Sequence, residues 1–266
     1  MKNLSWKDHV GRLFAANVCI LLICTMISSC GGPYTAKEVR LPDEKFALAD
    51  AFFQKGKYAK AAVEYKDFLS TFAGDERSDY AQFRLAESYR LDEEYDLATV
   101  EYRILINDYG YSEYVDDAFF LEGLSAFEQS PRSERDQTKS YAALTKINRF
   151  LQIFPNSPRR EEALDIRHQI HEHLGKKDFI SAKLYFSRQA YDAALIYFEK
   201  IIRLYPDSTW AQRSRYYRGV IMEQNGKVEE AIDEFRSVIS SPRDIPERVE
   251  AERHLKELVG EETGER

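Results

Sequence analysis

The chain has 266 residues and a formal net charge of −7, with 31% charged and 13% aromatic residues. This acidic balance argues against nucleic acid as a partner, because binding to phosphates needs clustered positive charge. The length allows one large or two ordinary domains. Only 12 glycines and 8 prolines, with 17 tyrosines and 16 phenylalanines, favour a helical protein rich in large packing residues.

The first 29 residues have the layout of a secretion signal. Three basic residues precede an apolar run over 13–27, which is shorter than the roughly 20 residues of a transmembrane helix. Ile27-Ser28-Ser29-Cys30 then resembles the lipobox of bacterial lipoproteins, in which the cysteine becomes the acylated first residue. We predict a signal peptide over 1–29 and a lipid anchor at Cys30, which holds the protein on a membrane. The alternative is an uncleaved anchor or a non-lipidated signal.

Removal of this segment leaves a simple mature chain. Cys19 and Cys24 are removed with it, so Cys30 is the one remaining cysteine and no disulfide can form. The removed segment carries a net charge of +2, so residues 30–266 carry −9. Residues 30–42 have little apolar content and include two prolines, which predicts a lipidated tether rather than a helix.

An apolar pattern with the period of a helix recurs five times after the tether. Its first copy places seven residues on one helix face: Tyr58, Ala61, Ala62, Tyr65, Phe68, Leu69 and Phe72. The later copies are centred on Ala98, Ala143, Ala194 and Ala231. In four copies a small residue lies twelve positions before this alanine, where it permits two antiparallel helices to approach closely: Ala49, Ala86, Ala182 and Gly219. The pattern resembles the tetratricopeptide repeat.

We therefore predict an all-α protein, a right-handed superhelical solenoid of about five tetratricopeptide repeats with a C-terminal capping helix. The repeat domain should cover 43–259. Its parts are expected at 44–73, 79–110, 113–155, 177–206 and 209–241, with an extra helix at 159–174 and the capping helix at 247–259. The third repeat carries inserted residues, of which 129–137 form a polar loop. Residues 260–266 should be a disordered tail.

The sequence offers no catalytic constellation and no Gly-rich phosphate loop, which favours a scaffold over an enzyme and implies no cofactor. His168, His171 and His173 are close in sequence, but His173 is rotated away from the other two. A solvated helix surface therefore explains them better than a metal site does. Helical spacing of the aromatic residues likewise favours core packing over a ligand pocket.

A local signature narrows the function. Arg132-Ser133-Glu134-Arg135-Asp136 resembles a loop of the BamD family, the lipoprotein component of the machinery that assembles outer-membrane β-barrels. The similarity continues through 154–157, 182–191 and 205–208. The chemistry of the loop leaves two roles open. Arg132 and Arg135 can bind carboxylates of a partner, or the loop can be a local latch in which Asp136 caps the next helix.

The resemblance implies a lipid-anchored protein on the periplasmic face of the outer membrane. It implies that the C-terminal repeats dock a BamA-like barrel protein, and that other Bam-type lipoproteins are further partners. Carried over to this sequence, the docking surface is expected around three residues: Arg188, Gln189 and Tyr197.

The resemblance also implies that the N-terminal repeats bind extended C-terminal segments of unfolded barrel substrates. Four residues are candidates for capturing such a peptide by aromatic and cationic contacts: Phe53, Tyr80, Phe83 and Arg84. The sequence departs from the family pattern just before them. Residues 73–77, Ala-Gly-Asp-Glu-Arg, replace a segment that contains proline and glycine in enteric members.

Two other functional classes stay open at the level of sequence. A pilotin-like lipoprotein, which escorts secretin or pilus subunits, would also combine a lipobox with repeats. Loss of pili or of secretion with intact porins would identify it. A glycan-binding lipoprotein would stack surface aromatic rings on sugars, and binding to isolated sacculi would identify that class.

Overall fold

The computed structural model describes residues 41–130 and 136–262, and over these residues the chain forms eleven helices and no strand. In chain order they are α1 (Pro42–Gln54), α2 (Tyr58–Thr71), α3 (Ser78–Leu91), α4 (Tyr95–Asp108), α5 (Val115–Glu128), α6 (Thr138–Ile153), α7 (Arg160–Ser187), α8 (Tyr191–Leu204), α9 (Thr209–Gln224), α10 (Val228–Ser240) and α11 (Arg248–Glu262). None of the described helices is long and apolar enough to cross a bilayer.

The first ten helices form five consecutive pairs. Each pair packs on the next along the chain, and α11 packs on α10 at the C-terminal end. Within α1 and α2, the Lys45 ammonium lies 3.1 Å from Glu64 and also pairs with Asp67. Contacts are thus made mainly between neighbours in sequence, as in a solenoid of helical repeats. The predicted fold of tetratricopeptide-like repeats with a capping helix is confirmed.

The recurring apolar pattern explains this packing. The second helix of each pair buries the alanine and the large residues four and seven positions later. In order these sets are Ala61, Tyr65 and Phe68; Ala98, Tyr102 and Leu105; Ala143, Ile147 and Phe150; Ala194, Phe198 and Ile201; and Ala231, Phe235 and Val238. Burial of a large apolar side chain contributes roughly 1.5–3 kcal/mol. This stripe therefore contributes to packing within each pair and between neighbouring pairs.

Small residues on the first helices set how closely the two helices of a pair approach. A Cβ added to Gly219 would lie 2.8 Å from Cε1 of Phe235, and one added to Gly123 would lie 2.7 Å from Cδ1 of Ile147. Gly123 is therefore the small residue of the third pair. Gly123 does not lie twelve positions before the alanine of its pair, Ala143, because residues are inserted after α5.

Four pairs share the same three-residue connection. Its middle residue has a positive φ in each case: Gly56 (66°), Glu93 (63°), Gln189 (59°) and Gly226 (74°). The following amide donates to a carbonyl five residues earlier, as from Lys57 to Phe52 and from Ala190 to Tyr185. This is the Schellman arrangement that ends a helix in the left-handed conformation. Glu93 and Gln189 adopt this conformation although a side chain makes it less favourable than it is for glycine.

The predicted boundary between the extra helix and the fourth repeat is wrong. A single helix, α7, covers 28 residues in place of a separate helix at 159–174 and a repeat that begins at 177. Gly175 does not interrupt it. A Cβ there would lie 3.1 Å from Cδ1 of Trp210, so the glycine admits the indole of α9 rather than ending α7.

Smaller differences occur at both ends. Pro42, assigned to the tether, begins α1, where a proline is tolerated because the first amides of a helix lack an internal acceptor. At the other end, α11 continues to Glu262, so residues 260–262 do not belong to a disordered tail. The predicted signal peptide, Cys30, residues 31–40 of the predicted tether and residues 263–266 lie outside the described residues.

We expect Gly219→Ala to destabilise the protein, because the added methyl group would collide with the ring of Phe235 at 2.8 Å. Overpacking lowers the free energy of unfolding by about 1–3 kcal/mol, and the higher helix propensity of alanine raises it by roughly 1 kcal/mol. The midpoint of urea unfolding should therefore fall. Gly260→Ala is the matched control, since no atom lies within 4 Å of its added Cβ. Equal midpoints for the two variants would contradict the role of Gly219.

Candidate functional site

Three of the four predicted peptide-binding residues meet around the guanidinium group of Arg84. This group lies 4.5 Å from the ring centre of Phe53 and 5.0 Å from that of Tyr80. Its Nε donates to the Tyr80 hydroxyl at 2.7 Å, and its Nη1 donates to Glu87 at 2.7 Å. Burial opposes the charge, but these two hydrogen bonds raise the pKa of Arg84 overall. The side chain is therefore held as a cation between two rings.

Phe83 does not belong to this group. It is 7% exposed, and its ring stacks on Tyr114 at 5.0 Å and lies 6.2 Å from Tyr102. Positions 83 and 84 point about 100° apart on a helix, so Phe83 faces the core while Arg84 faces the outside. The prediction that Phe83 captures a peptide is therefore corrected to a packing role between the second and third pairs.

Sequence reasoning missed two further rings of this surface. Tyr80 lies 5.7 Å from Phe46 on α1 and 5.5 Å from Tyr114 at the start of α5. We call Phe46, Phe53, Tyr80, Arg84 and Tyr114 the N-terminal aromatic row. Its rings come from three helix pairs, so no local spacing in the sequence could have joined them.

Residues 73–77 lie beside one end of the N-terminal aromatic row. The Arg77 side chain donates to both oxygens of Asp75, at 2.8 and 2.9 Å. Hydrogen bonds from Arg77 lower the pKa of Asp75 to about 2. The same guanidinium group lies 4.8 Å from the ring of Phe46 and 5.6 Å from that of Phe68. Arg77 of this segment thus provides a second cation beside the aromatic row.

The predicted docking residues lie on α8 and on the connection before it. Arg188 and Gln189 are exposed in that connection, whereas Tyr197 is partly buried and stacks on Tyr185 at 5.5 Å. Among the described contacts, no hydrogen bond, ion pair or ring contact joins Tyr197 to Arg188 or Gln189. They belong to one helix pair but do not form one contact cluster.

A neighbouring cluster was not predicted. The Lys183 ammonium lies 3.7 Å from the ring centre of Tyr217, and burial lowers the pKa of Lys183. Arg213 lies 4.7 Å over the ring of Phe179 and donates to both oxygens of the buried Glu247, at 2.6–3.0 Å. These five residues, the C-terminal cation cluster, tie α7 and α9 to the segment before α11. Aromatic residues at helical spacing were the only signal for it.

The Arg/Asp loop is described only in part. Arg132 and Arg135 lie outside the described residues. Asp136 is exposed and accepts hydrogen bonds from the Thr138 amide at 3.1 Å and from the Thr138 hydroxyl at 2.9 Å. These bonds lower the pKa of Asp136. The carboxylate therefore binds the first amide of α6 in an Asx turn, from the position before the N-cap residue Gln137, and the role of the whole loop stays a prediction.

The histidine group is not a solvated surface throughout. His171 is buried and hydrogen-bonds Asp207, in the connection between α8 and α9. His168 lies 4.0 Å from Asp207 and 3.9 Å from Glu172. The hydrogen bond with His171 lowers the pKa of Asp207 although burial opposes it. The part of the chain that the structure describes holds no cluster of three or more possible metal ligands.

Comparison with solved structures supports the architecture. A crystal structure of a TPR repeats protein from Bacteroides fragilis matches with a TM-score of 0.50 at 12% identity, covering 83% of this chain and 99% of that one. An identity this low bears on the fold alone. It agrees with the succession of helix pairs described above.

Sequence comparison bears on the family. Outer membrane protein assembly factor BamD of Pasteurella multocida is 24% identical over 200 residues, covering 71% of this chain and 76% of the relative. The protein of the same name from Vibrio cholerae is 29% identical over 105 residues, covering 40% of this chain and 42% of the relative. The family model YfiO, described as outer membrane lipoprotein, matches residues 41–234. Because this match spans well over half of the sequence, the chain belongs to the YfiO family of outer membrane lipoproteins.

Proposed function

We propose that this protein is a non-enzymatic scaffold for the assembly of outer-membrane β-barrel proteins, anchored through lipidated Cys30 on the periplasmic face of the outer membrane. The observation that carries the proposal is the family match over 41–234, together with relatives named outer membrane protein assembly factors. A solenoid suits the role because rigid helix pairs present long surfaces to more than one partner.

The N-terminal aromatic row is the proposed site for unfolded barrel segments. Rings at Phe53, Tyr80 and Tyr114 offer apolar contact, and Arg84 offers a charge that is already oriented by two hydrogen bonds. A terminal carboxylate next to an aromatic residue would match both features. Because the rings and the cation are fixed before binding, little side-chain entropy is lost when an extended peptide binds.

The α7–α8 connection and α8 are the proposed site for a BamA-like barrel protein. Arg188 is exposed there and can form a forked pair with a carboxylate of the partner. Gln189 holds a left-handed conformation that glycine would adopt more easily. Glu93 holds the same conformation in the same turn of the second pair, so the resemblance and the exposure of Gln189, rather than its backbone, support a binding role for this position. Other Bam-type lipoproteins complete the proposed set of partners.

The proposal is tested by in-cell crosslinking of the natively expressed, tagged protein, followed by purification in mild detergent and mass spectrometry. We expect a BamA-like barrel protein to be captured, and depletion of the chain to lower porin levels. Capture of a secretin or pilus component with normal porin levels would overturn the proposal in favour of a pilotin-like role.

Arg188→Glu should reduce capture of the barrel protein about tenfold or more, because it replaces one charged pair with a repulsion. Arg236→Glu on α10 is the matched control, since Arg236 is exposed as well and lies outside the proposed surface. The measurement is the ratio of captured barrel protein to bait in both variants. Equal losses would show an effect of net charge and contradict docking at Arg188.

Gln189→Gly should stabilise the fold while it weakens capture. Relief of the left-handed conformation is expected to add up to about 1 kcal/mol to the free energy of unfolding, and loss of the amide removes one proposed contact. Glu93→Gly provides the control, because Glu93 occupies the same position in the second pair with a φ of 63°. Thermal unfolding and capture are measured on both. If Gln189→Gly leaves capture unchanged, Gln189 has no part in docking.

Arg84→Gln should weaken binding of a fluorescent peptide that ends in a free Phe carboxylate by about tenfold, because a hydrogen bond to a charged group contributes roughly 1.5 kcal/mol or more. Fluorescence anisotropy with the purified lipidated protein measures this. Arg149→Gln is the control, since Arg149 also lies over a ring, Phe119 at 4.8 Å, but outside the row. Equal peptide affinities of Arg84→Gln and the wild-type protein would contradict a role of the N-terminal aromatic row in substrate binding.

A further inference from the structure

Within the described residues, four exposed lysines of the first helix pair have no ionic partner. Lys55 and Lys57 flank the glycine of its connection, and Lys60 and Lys66 lie on α2. Among the residues that the structure describes, none of the four has a carboxylate within ion-pair distance. Lys45, the other lysine of this pair, is bound to Glu64 and Asp67. The four lysines together with Val63 are called the lysine face.

The fold does not require this charge. The equivalent connection in the second pair is Asp92-Glu93-Glu94, with a middle φ of 63° against 66° at Gly56. The position of Lys60 is taken there by Leu97. The position of Lys66 is taken by Arg103, which lies 3.1 Å from Glu122. One backbone geometry thus accepts opposite charges, and of these two pairs only the first has exposed cations without an ion pair among the described residues.

Val63 adds an apolar group to the centre of the face. It is 65% exposed and lies three residues from both Lys60 and Lys66, so the three side chains share one side of α2. Lysine stems can lie along an apolar surface while their ammonium groups reach outward. A basic helix face with an exposed apolar residue is typical of helices that lie on a membrane surface.

The tether restricts where this face can be. Between Cys30 and Pro42 there are only 11 residues. Fully extended, this stretch spans no more than about 43 Å, and a helix of 14 residues such as α2 is about 21 Å long. If Cys30 carries the lipid, as the proposed function requires, the first pair is held within about two of its own lengths from the bilayer.

We propose that the lysine face binds the anionic phospholipid headgroups of the leaflet that holds the lipid anchor. Unpaired lysines near such a surface gain attraction that falls off within a Debye length, about 10 Å at 0.1 M salt. The anchor keeps the face close enough for this attraction to act, and the lysine face then fixes the orientation of the first pair. The inference rests on the lipidation of Cys30 in the proposed function.

The test uses the full lipidated protein in vesicles of phosphatidylethanolamine with phosphatidylglycerol. An environment-sensitive dye is attached at Val63→Cys, which supplies a free thiol because Cys30 is acylated. We expect a blue shift of its emission that is lost in high salt and in the variant with Lys55, Lys57, Lys60 and Lys66 changed to Gln. Ile196→Cys is the matched control. Ile196 occupies the same repeat position on α8, is 68% exposed and has no lysine three residues away.

Each outcome decides the inference. If the protein floats with the vesicles but the dye at position 63 shows no emission shift, binding of headgroups by the lysine face is overturned and the lipid anchor is not. An equal shift in purely zwitterionic phosphatidylethanolamine–phosphatidylcholine vesicles would overturn anionic recognition. A shift that appears only after addition of a barrel protein would assign the face to a protein partner instead. Failure of the protein to float would overturn the anchor and the inference together.

Discussion

The close approach of the two helices in each pair is the constraint on which the rest of the structure depends. Ala49, Ala86 and Ala182 are fully buried, and at Gly219 the ring of Phe235 leaves no room for a methyl group. At this separation, a three-residue connection with one left-handed residue is enough to reverse the chain. The large residues of the second helix then fill the space between pairs, and the pairs stack in sequence.

The same packing leaves rings at the surface, and cations cover several of them. Arg77 and Arg84 lie over rings near the N-terminal end, and Lys183 and Arg213 do so near the C-terminal end. The two surfaces differ in how their charges are used. Arg213 is held by the buried Glu247, whereas Arg84 is held by Tyr80 and by Glu87 near the surface. A surface of oriented rings and cations suits partners that carry aromatic and acidic groups.

In the proposed function, charge and the lipid anchor act on the same part of the molecule. The chain is acidic as a whole, yet among the described residues the exposed lysines without an ion pair concentrate on α2 and the connection before it. The N-terminal aromatic row begins on α1 of that same pair, at Phe46 and Phe53. A first pair held against the bilayer would therefore present the row next to the membrane, where the proposed barrel segments would bind. The lipid anchor, the lysine face and the N-terminal aromatic row would then act together at the membrane surface.

Sequence alone predicted the second helix of every pair and the family, because buried positions repeat every three or four residues and local signatures need no tertiary contact. It did not predict that α7 continues past Gly175. A glycine favours the end of a helix when its packing against Trp210 is not known. Nor could the sequence separate Phe83 in the core from Arg84 on the surface, find Tyr114 beside Tyr80, or bury His171. Periodicity shows which side of a helix is apolar. Which neighbour that side meets depends on helix crossings between residues far apart in the chain, and only the tertiary structure decides them.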